Sequence, residues 1–166
     1  SVIFGGIRIL GSHLCTRLLS EGHTVICVNN FSSGSRANIS HIEGEDAFTL
    51  VEHYISEPIS LDANPDGIYH LASRASPADF NDHPIEIAMS NSIGTKHVLD
   101  LAVESDAKVL IASTSEVYGD PEVHPQTESY NGNVNIRGLR ATYDESKRLS
   151  EALSVAYHRK HDVDVR

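Results

Sequence analysis

Short apolar runs alternate with longer segments of helical periodicity along the chain. The runs are bounded by glycine, proline, asparagine or serine, as buried strands commonly are. They cover residues 2–4, 25–28, 48–51, 68–72 and 109–112. Apolar positions three and four apart predict helices over 11–21, 84–105 and 141–160. The remaining stretches predict a loop with a short helix over 29–40, a long loop over 119–139 and the start of a strand over 162–166.

This alternation of strands and helices determines the expected fold class. Near-continuous apolar strands are typical of a parallel sheet covered by helices on both faces. Right-handed crossovers between such strands give an α/β fold with a doubly wound, Rossmann-type parallel sheet, which binds ligands beyond the carboxyl ends of its strands. Three polar segments fall at those ends here: the glycine turn after the first strand, Asn29-Asn30 after the second, and residues 113–116 after the fifth.

Composition and charge narrow the class of protein. The 166 residues include 23 acidic and 13 basic side chains, for a formal charge of −10, and 40% are apolar. Residues 1–166 are therefore predicted to form one domain with one core. The negative charge argues against a nucleic-acid partner, because duplex binding needs clustered lysine and arginine. No run is long enough to span a bilayer and no secretory signal is visible, so we expect a cytoplasmic protein; the chain begins at Ser1, which leaves a lost leader open.

The spacing of the cysteines and histidines indicates no metal site. Cys15 and Cys27 lie in apolar surroundings and fit no metal or redox motif, so we expect two buried thiols in a reducing compartment. The ten histidines show no HExxH or similar ligand pattern. No metal ion is therefore expected.

The glycine turn FGGIRILG, residues 4–11, is the first candidate site. Gly5 and Gly11 have the spacing of the outer glycines in a GxxGxxG turn, where backbone amides approach a pyrophosphate at a helix N-terminus. Arg8 stands at the middle position, where glycine normally lets the phosphates come close. Its side chain either crowds the phosphates or swings out and pairs with one. By itself the motif fits a tight structural turn as well as a cofactor loop.

Asn29, at the end of the second strand, is the second candidate. A carboxylate at this position normally accepts hydrogen bonds from the adenosine ribose of NAD. Asparagine replaces the acid here, while Arg8 is gained and Arg36 is nearby, and this combination favours binding of a 2′-phosphate and hence of NADP. The same replacement also fits a site that binds the dinucleotide more weakly.

Tyr143 and Lys147 are four residues apart and lie on the same face of the last helix. A nearby ammonium ion favours the ionised phenol, which then acts as a base near neutral pH. The polar run Ser113-Thr114-Ser115-Glu116 ends the fifth strand, and its hydroxyl and carboxyl groups suit binding to the same substrate. A surface lysine beside a core tyrosine is the simpler alternative.

At these motifs the sequence resembles the extended short-chain dehydrogenase/reductase family, and within it the UDP-glucuronate decarboxylase (UDP-xylose synthase) branch. The resemblance covers nearly the whole chain, and STSEVYGDPEVHPQ is specific for that branch because most sugar-nucleotide epimerases lack a glutamate at the position of Glu116. The matching stretches are GSHLCTRLLSEGHTVICVNNF, IYHLAS, NSIGT, ASTSEVYGDPEVHPQTESY, GNVN and RATYDESKR.

The resemblance implies roles for individual residues. Tyr143 is the expected base for the sugar C4 hydroxyl, Lys147 holds the nicotinamide ribose, Thr114 orients the sugar and Glu116 is the further carboxylate of the decarboxylase branch. The implied cofactor is NAD, with NADP as the alternative, and Tyr143 and Lys147 also contact it. The other implied cofactor residues are Gly5, Gly6, Arg8, Ile9, Leu10, Gly11, Asn29, Asn30, Phe31, Leu71, Ala72, Ser73 and Asn91.

The implied activity is oxidation at C4 of UDP-glucuronate or a related nucleotide sugar, loss of carbon dioxide and re-reduction, in a homodimer. The chain stops where the family is about half complete, so we expect the C-terminal substrate portion to be absent and the activity impaired. Two alternatives remain: a UDP- or dTDP-sugar epimerase or dehydratase, and a catalytically inactive dinucleotide-binding or dimerising module.

Eight residues depart from the family pattern, and three of them, Arg8, Asn29 and Tyr54, fall on the cofactor pocket. The family has glycine at Arg8, aspartate at Asn29 and Tyr54, threonine at Phe4, an aromatic residue at Asn131, and proline at Arg74, Ile136 and Leu139.

Overall fold

A computed structural model describes residues 1–166, which fold around one parallel sheet. The strands are β1 (Val2–Phe4), β2 (Val25–Asn29), β3 (Phe48–Glu52), β4 (Gly67–His70) and β5 (Lys108–Ile111). Their order in the sheet is β3-β2-β1-β4-β5, and every pair is parallel. The chain order reverses between β1 and β4, which opens a crevice at their carboxyl ends. The expected α/β Rossmann-type sheet is confirmed.

Five α-helices connect and cover the strands. They are α1 (Ile9–Ser20), α2 (Asp79–Asp82), α3 (Pro84–Asn91), α4 (Ile93–Ser105) and α5 (Ala141–His161). Two short 3₁₀ helices, Arg36–Asn38 and Ser115–Tyr118, lie in the loops after β2 and β5. No helix combines the length and the apolar character that crossing a bilayer requires.

The two faces of the sheet bury separate hydrophobic clusters, because successive side chains of a strand point to opposite faces. Val2 and Phe4 of β1 pack with α4 on one face, whereas Ile3 packs with α1 on the other. Cys15 and Cys27 belong to the second cluster, and both are buried free thiols, as the sequence predicts.

The helix predicted over 84–105 is divided at Ser92, where the backbone turns to φ −101° and ψ −78°. The Ser92 hydroxyl donates a 2.6 Å hydrogen bond to the Ala88 carbonyl oxygen. This kind of bond from a serine back to the preceding turn competes with helix geometry and bends helices. The division places Asn91 at the end of α3, facing α5.

The structure shortens one predicted strand and agrees with the prediction at the C-terminal residues. β4 ends at His70, so Leu71, Ala72 and Ser73 form the loop that faces the glycine turn. At the C-terminus, Val165 pairs in parallel with Val109 of β5 through a 2.8 Å bond from the Arg166 amide to the Val109 carbonyl oxygen. A strand therefore begins where residues 162–166 predict one.

Candidate functional site

The turn between β1 and α1 requires glycine at both of its outer positions. Gly5 has φ +85°, and a Cβ there would lie 2.8 Å from the Ala72 nitrogen in the loop after β4. A Cβ on Gly11 would lie 2.4 Å from the Gly5 carbonyl oxygen. The two glycines therefore let the turn pack directly on the backbone of the neighbouring loop and on itself.

The N-terminus of α1 presents unpaired backbone amides. Arg8 is the N-cap residue, and its side chain makes no capping hydrogen bond. The first amide of the helix to find a partner is that of Ser12, which donates to the Arg8 carbonyl oxygen at 2.8 Å. The amides of the preceding turn remain available, and the side chains of Ile9 and Leu10 beside them are exposed. Free amides at a positive helix end suit the pyrophosphate of a dinucleotide, so this turn fits that group.

A cavity of about 450 Å³ lies at the carboxyl ends of the strands, beside this turn. Its volume is in the range of small-molecule sites. Of the residues predicted to contact a dinucleotide, those that line it are Gly5, Arg8, Asn29, Asn30, Ala72 and Ser73. Tyr54, which stands where the family has aspartate, lines the same cavity.

Asn29 at the end of β2 is engaged within its own loop. Its Oδ1 accepts a 2.8 Å hydrogen bond from the Phe31 amide, and Phe31 adopts a left-handed φ of 55°. Arg36 does not line the cavity, because its Nε is 2.5 Å from the Glu43 carboxylate. The structure thus places Arg36 in an ion pair outside the cavity.

Arg74 supplies the second guanidinium of the cavity instead. Its Nη2 donates a 2.6 Å hydrogen bond to the Ser32 carbonyl oxygen, and Arg8 Nη1 donates at 2.9 Å to the Ser73 carbonyl oxygen. In the sequence, Arg74 is identified only as a residue that stands where the family has proline. The signal that identifies it is its place immediately after the predicted cofactor residues Leu71–Ser73, in the loop that closes over the crevice.

A second group of polar side chains joins α5 to the end of β5. The Lys147 ammonium group is buried, and it donates a 2.6 Å hydrogen bond to the Ala112 carbonyl oxygen just after β5. Burial lowers the pKa of Lys147 to about 8, although Glu151 opposes this shift. The bond fixes α5 against the strand end from which Thr114 and Glu116 continue.

Tyr143 lies one turn before Lys147 on α5. Its ring is buried and stacks on Phe80 of α2, with centroids 5.0 Å apart and planes at 21°. Its hydroxyl group makes no hydrogen bond within the chain and is not sealed from solvent. A phenol in this setting is held in place by its ring and leaves its oxygen free for a ligand.

Thr114 and Glu116 are tied to the same region. Thr114 caps the 3₁₀ helix, and its Oγ1 accepts a 3.3 Å hydrogen bond from the Glu116 amide. The Glu116 carboxylate forms an ion pair with Arg140, which precedes Tyr143 by three residues. The carboxylate is thus directed toward the N-terminal turn of α5.

Asn91 connects α3 to the middle of this helix. It is fully buried, and its Nδ2 donates a 3.0 Å hydrogen bond to the Ser146 hydroxyl, while its Oδ1 has no partner. Ser146 directly precedes Lys147, so Asn91 packs behind the Tyr143–Lys147 face.

A model of the NAD dependent epimerase/dehydratase family matches residues 1–166. The chain belongs to this family. It is 47% identical over 165 residues to UDP-glucuronic acid decarboxylase 1 of Xenopus tropicalis, covering 99% of this chain and 39% of the relative. It is 45% identical over 166 residues to UDP-glucuronic acid decarboxylase 6 of Arabidopsis thaliana, covering 99% of this chain and 48% of that protein.

Two solved structures of epimerases and dehydratases share the fold. A UDP-galactose 4-epimerase superposes with a TM-score of 0.85 at 26% identity, over 99% of this chain and 52% of its own. The dTDP-glucose 4,6-dehydratase DesIV of Streptomyces venezuelae, with NAD bound, superposes with a TM-score of 0.84 at 26% identity, over 99% of this chain and 53% of its own. The chain thus spans about half or less of each of these proteins.

Within this family member, the predicted site residues divide into two groups. The glycine turn and the loops after β2 and β4 surround the cavity. The four predicted catalytic residues do not line it; they lie together at the end of β5 and the start of α5, with Asn91 behind them. The predicted residues outside the cavity lining are Gly6, Ile9, Leu10, Gly11, Phe31, Leu71, Asn91, Thr114, Glu116, Tyr143 and Lys147.

Proposed function

We propose that this chain serves a nicotinamide-dependent decarboxylation of UDP-glucuronate or a closely related nucleotide sugar. The observation that carries the proposal is the 2.6 Å bond from Lys147 Nζ to the Ala112 carbonyl oxygen, which holds the Tyr143–Lys147 face of α5 beside Thr114 and Glu116. Identity of 47% to a decarboxylase supports this substrate class over the more distant epimerases and dehydratases.

A bound dinucleotide would supply a reversible acceptor for the hydride of the sugar. Residues of the glycine turn and the loops after β2 and β4 would hold it, with its pyrophosphate at the N-terminus of α1. The buried Lys147 ammonium group would bind the ribose next to the reacting ring and favour the phenolate of Tyr143.

Tyr143 removes the proton from the C4 hydroxyl of the sugar as the hydride leaves the same carbon. Its free hydroxyl and its ring, fixed on Phe80, support this role. The Thr114 hydroxyl orients the sugar oxygen. The resulting 4-ketone is β to the carboxylate, so the bond between C5 and the carboxyl carbon breaks and carbon dioxide departs.

The Glu116 carboxyl group transfers to C5 the proton that C5 takes up after carbon dioxide leaves. Its ion pair with Arg140 supports this assignment because Arg140 is the N-cap residue of α5, whose first turn contains Tyr143. Both side chains are partly exposed, so the pair is able to open when substrate arrives. After C5 is protonated, Tyr143 would return its proton to the C4 oxygen while the reduced dinucleotide would supply the hydride for C4, and a pentose nucleotide would be released.

A homodimer is part of the proposal. Leu149 and Val155 on α5 and Val103 on α4 are exposed apolar side chains, which is consistent with a partner covering these helices. Sedimentation velocity tests this point, and a strictly monomeric chain contradicts it.

Product analysis tests the proposed activity. The chain is incubated with each dinucleotide and with UDP-glucuronate carrying a labelled carboxyl group, and released carbon dioxide and the sugar nucleotide are measured. We expect labelled carbon dioxide and UDP-xylose, and their loss in Tyr143→Phe. A 4-epimer or a 4-keto-6-deoxy product from UDP- or dTDP-hexoses would favour the epimerase or dehydratase alternative. Dinucleotide binding without any product would indicate the inactive binding module.

A further inference from the structure

Two arginine side chains reach the 450 Å³ cavity from neighbouring loops. Arg8 comes from the turn after β1 and Arg74 from the loop after β4, and both line the cavity together with Ser32 and Ser33. A Cβ on Gly34 would lie 3.1 Å from Arg8 Cγ, so the stem of Arg8 runs along the loop that follows β2. Arg74 contacts the same loop at the Ser32 carbonyl oxygen, so both side chains lie beside it.

Arg8 has no charged partner within the chain, and Arg74 has one ion pair, with Asp79. Arg8 forms no ion pair, and its hydrogen bond goes to the neutral carbonyl oxygen of Ser73. Arg74 donates to the Ser32 carbonyl oxygen at 2.6 Å, whereas its nearest carboxylate oxygen, on Asp79, is 3.4 Å away. Positive charges in a concave site attract an anion.

The other cavity residues do not offset this charge. Glu86 is the one acidic residue in the lining, and its side chain is 64% exposed and lies 3.9 Å from His83. A carboxylate so exposed is largely screened by solvent. The balance of the cavity is positive beside the loop after β2.

That loop is where a Rossmann-type fold distinguishes the two nicotinamide dinucleotides. A carboxylate at the end of β2 accepts hydrogen bonds from the ribose hydroxyl groups of NAD, whereas a nearby arginine accommodates the 2′-phosphate of NADP. Asn29 occupies the position here, and its Oδ1 already accepts the Phe31 amide at 2.8 Å. The side-chain oxygen that would accept a hydrogen bond from the NAD ribose is thus already bonded and carries no charge. Two guanidinium groups lie in the same cavity.

We propose that this cleft selects the 2′-phosphorylated dinucleotide, NADP, over NAD, with Arg8 and Arg74 as the residues that contact the phosphate. The inference rests on the proposed function in so far as that function requires a dinucleotide in this cleft. Arg74 is held in position by Ser32, and Arg8 exchanges its bond to the Ser73 carbonyl oxygen for the phosphate. Each guanidinium is able to offer two parallel N–H groups to phosphate oxygens.

Titration calorimetry of the 166-residue chain compares NADP with NAD, and 2′,5′-ADP with 5′-AMP as fragments that lack the nicotinamide. We expect NADP and 2′,5′-ADP each to bind about a hundredfold more tightly than their counterparts, which corresponds to two charged contacts of about tenfold each. The preference is expected to decrease as salt is added, because the partly exposed contacts are screened.

Variants assign the preference to these side chains. Arg8→Gln and Arg74→Gln are each expected to reduce the ratio of the two affinities by about tenfold, since each removes a charged contact. Arg36→Gln is the matched control, because Arg36 pairs with Glu43 outside the cavity, and it is expected to leave the ratio unchanged. Circular dichroism verifies that each variant is folded. If a variant does not fold, the comparison of 2′,5′-ADP with 5′-AMP on the unmodified chain decides whether the 2′-phosphate is preferred.

Three results would overturn the inference. Equal affinity for NADP and NAD would refute it while leaving the dinucleotide site of the proposed function intact. A preference for NADP that survives both arginine substitutions would refute the assigned residues. Failure of the chain to bind any of the four ligands would refute both the inference and the proposed function.

Discussion

His70, the last residue of β4, is buried near the ammonium group of Lys147. Burial, together with the positive charge of Lys147, lowers the pKa of the imidazole to about 3. The ring is therefore neutral at physiological pH, and its Nδ1 has no hydrogen-bond partner. A buried neutral imidazole next to a buried ammonium group makes the folded state sensitive to pH on both sides of neutrality.

On the acid side, we expect His70 to make the chain less stable as the pH falls. In the unfolded chain the imidazole has its ordinary pKa of 6.5 and is protonated below that pH. In the folded chain it stays neutral down to about pH 3. Stability from this group is present above pH 6.5 and declines below it, by about 2 kcal/mol between pH 7 and pH 5. Urea unfolding at the two pH values measures the decline, which we expect to be smaller by about that amount in His70→Gln.

His23 provides the control for this experiment because its side chain is exposed. His23→Gln is expected to retain the decline of the unmodified chain. An equal decline in His70→Gln and in the unmodified chain would show that His70 does not carry the effect.

On the alkaline side, Lys147 is expected to act in the same direction, so that the chain becomes more stable as the pH rises. Its pKa is about 8 in the folded chain and 10.5 in the reference state, so the unfolded state binds more protons between these values. Stability therefore increases with pH in this window, by about 2 kcal/mol between pH 7 and pH 9.5. Urea unfolding should show this increase in the unmodified chain and not in Lys147→Met. A parallel increase in the variant would assign it to other groups.

The sheet was predictable from the sequence because its strands are buried on both faces. Runs such as residues 25–28 leave no alternative with helical periodicity, and glycine or asparagine marks their ends. The division of the helix at Ser92 was not predictable in the same way. Apolar periodicity continues through residues 84–105, and the bend depends on a side-chain bond to Ala88 that the pattern does not contain.

The candidate site was predictable where local spacing carries the chemistry. Tyr143 and Lys147 share a helix face by their separation alone. The partners of the arginines were not predictable, because they depend on which loops meet across the sheet. Arg36 is close to Asn29 in sequence yet pairs with Glu43, whereas Arg74, more distant in sequence, reaches Ser32.

The glycine turn offers a test of packing against the backbone. Gly11→Ala would bring a Cβ to 2.4 Å from the Gly5 carbonyl oxygen, so the turn must shift. We expect a loss of about 2–4 kcal/mol in the free energy of unfolding, together with weaker dinucleotide binding. Gly44→Ala is the control, since no atom lies within 4 Å of its Cβ, and we expect it to stay within about 0.5 kcal/mol. Comparable stability of the two variants would contradict the close approach.

A double-mutant cycle measures the ion pair of Glu116 and Arg140. Their side chains are 32% and 49% exposed, so solvent screens the attraction. We expect a coupling of about 0.5 kcal/mol from Glu116→Gln, Arg140→Gln and the double variant, measured by urea unfolding at pH 7. A coupling of several kcal/mol would mean that the pair is a fixed structural element, and would argue against a carboxylate that changes partners when substrate binds.

Tyr143 and Phe80 allow the structural and chemical parts of the candidate site to be separated. The hydroxyl of Tyr143 has no partner in the chain, so Tyr143→Phe keeps the stacked ring and is expected to change the free energy of unfolding by less than about 1 kcal/mol. Phe80→Ala removes one of the stacked rings from a small buried cluster with Ile87, and we expect it to cost about 2–4 kcal/mol. Turnover should show the reverse order, because only Tyr143→Phe removes the proposed base.

Thermal and urea unfolding beside single-turnover assays distinguish the two effects. A large loss of stability in Tyr143→Phe would mean that the hydroxyl group has a structural partner and is not free to act on a substrate.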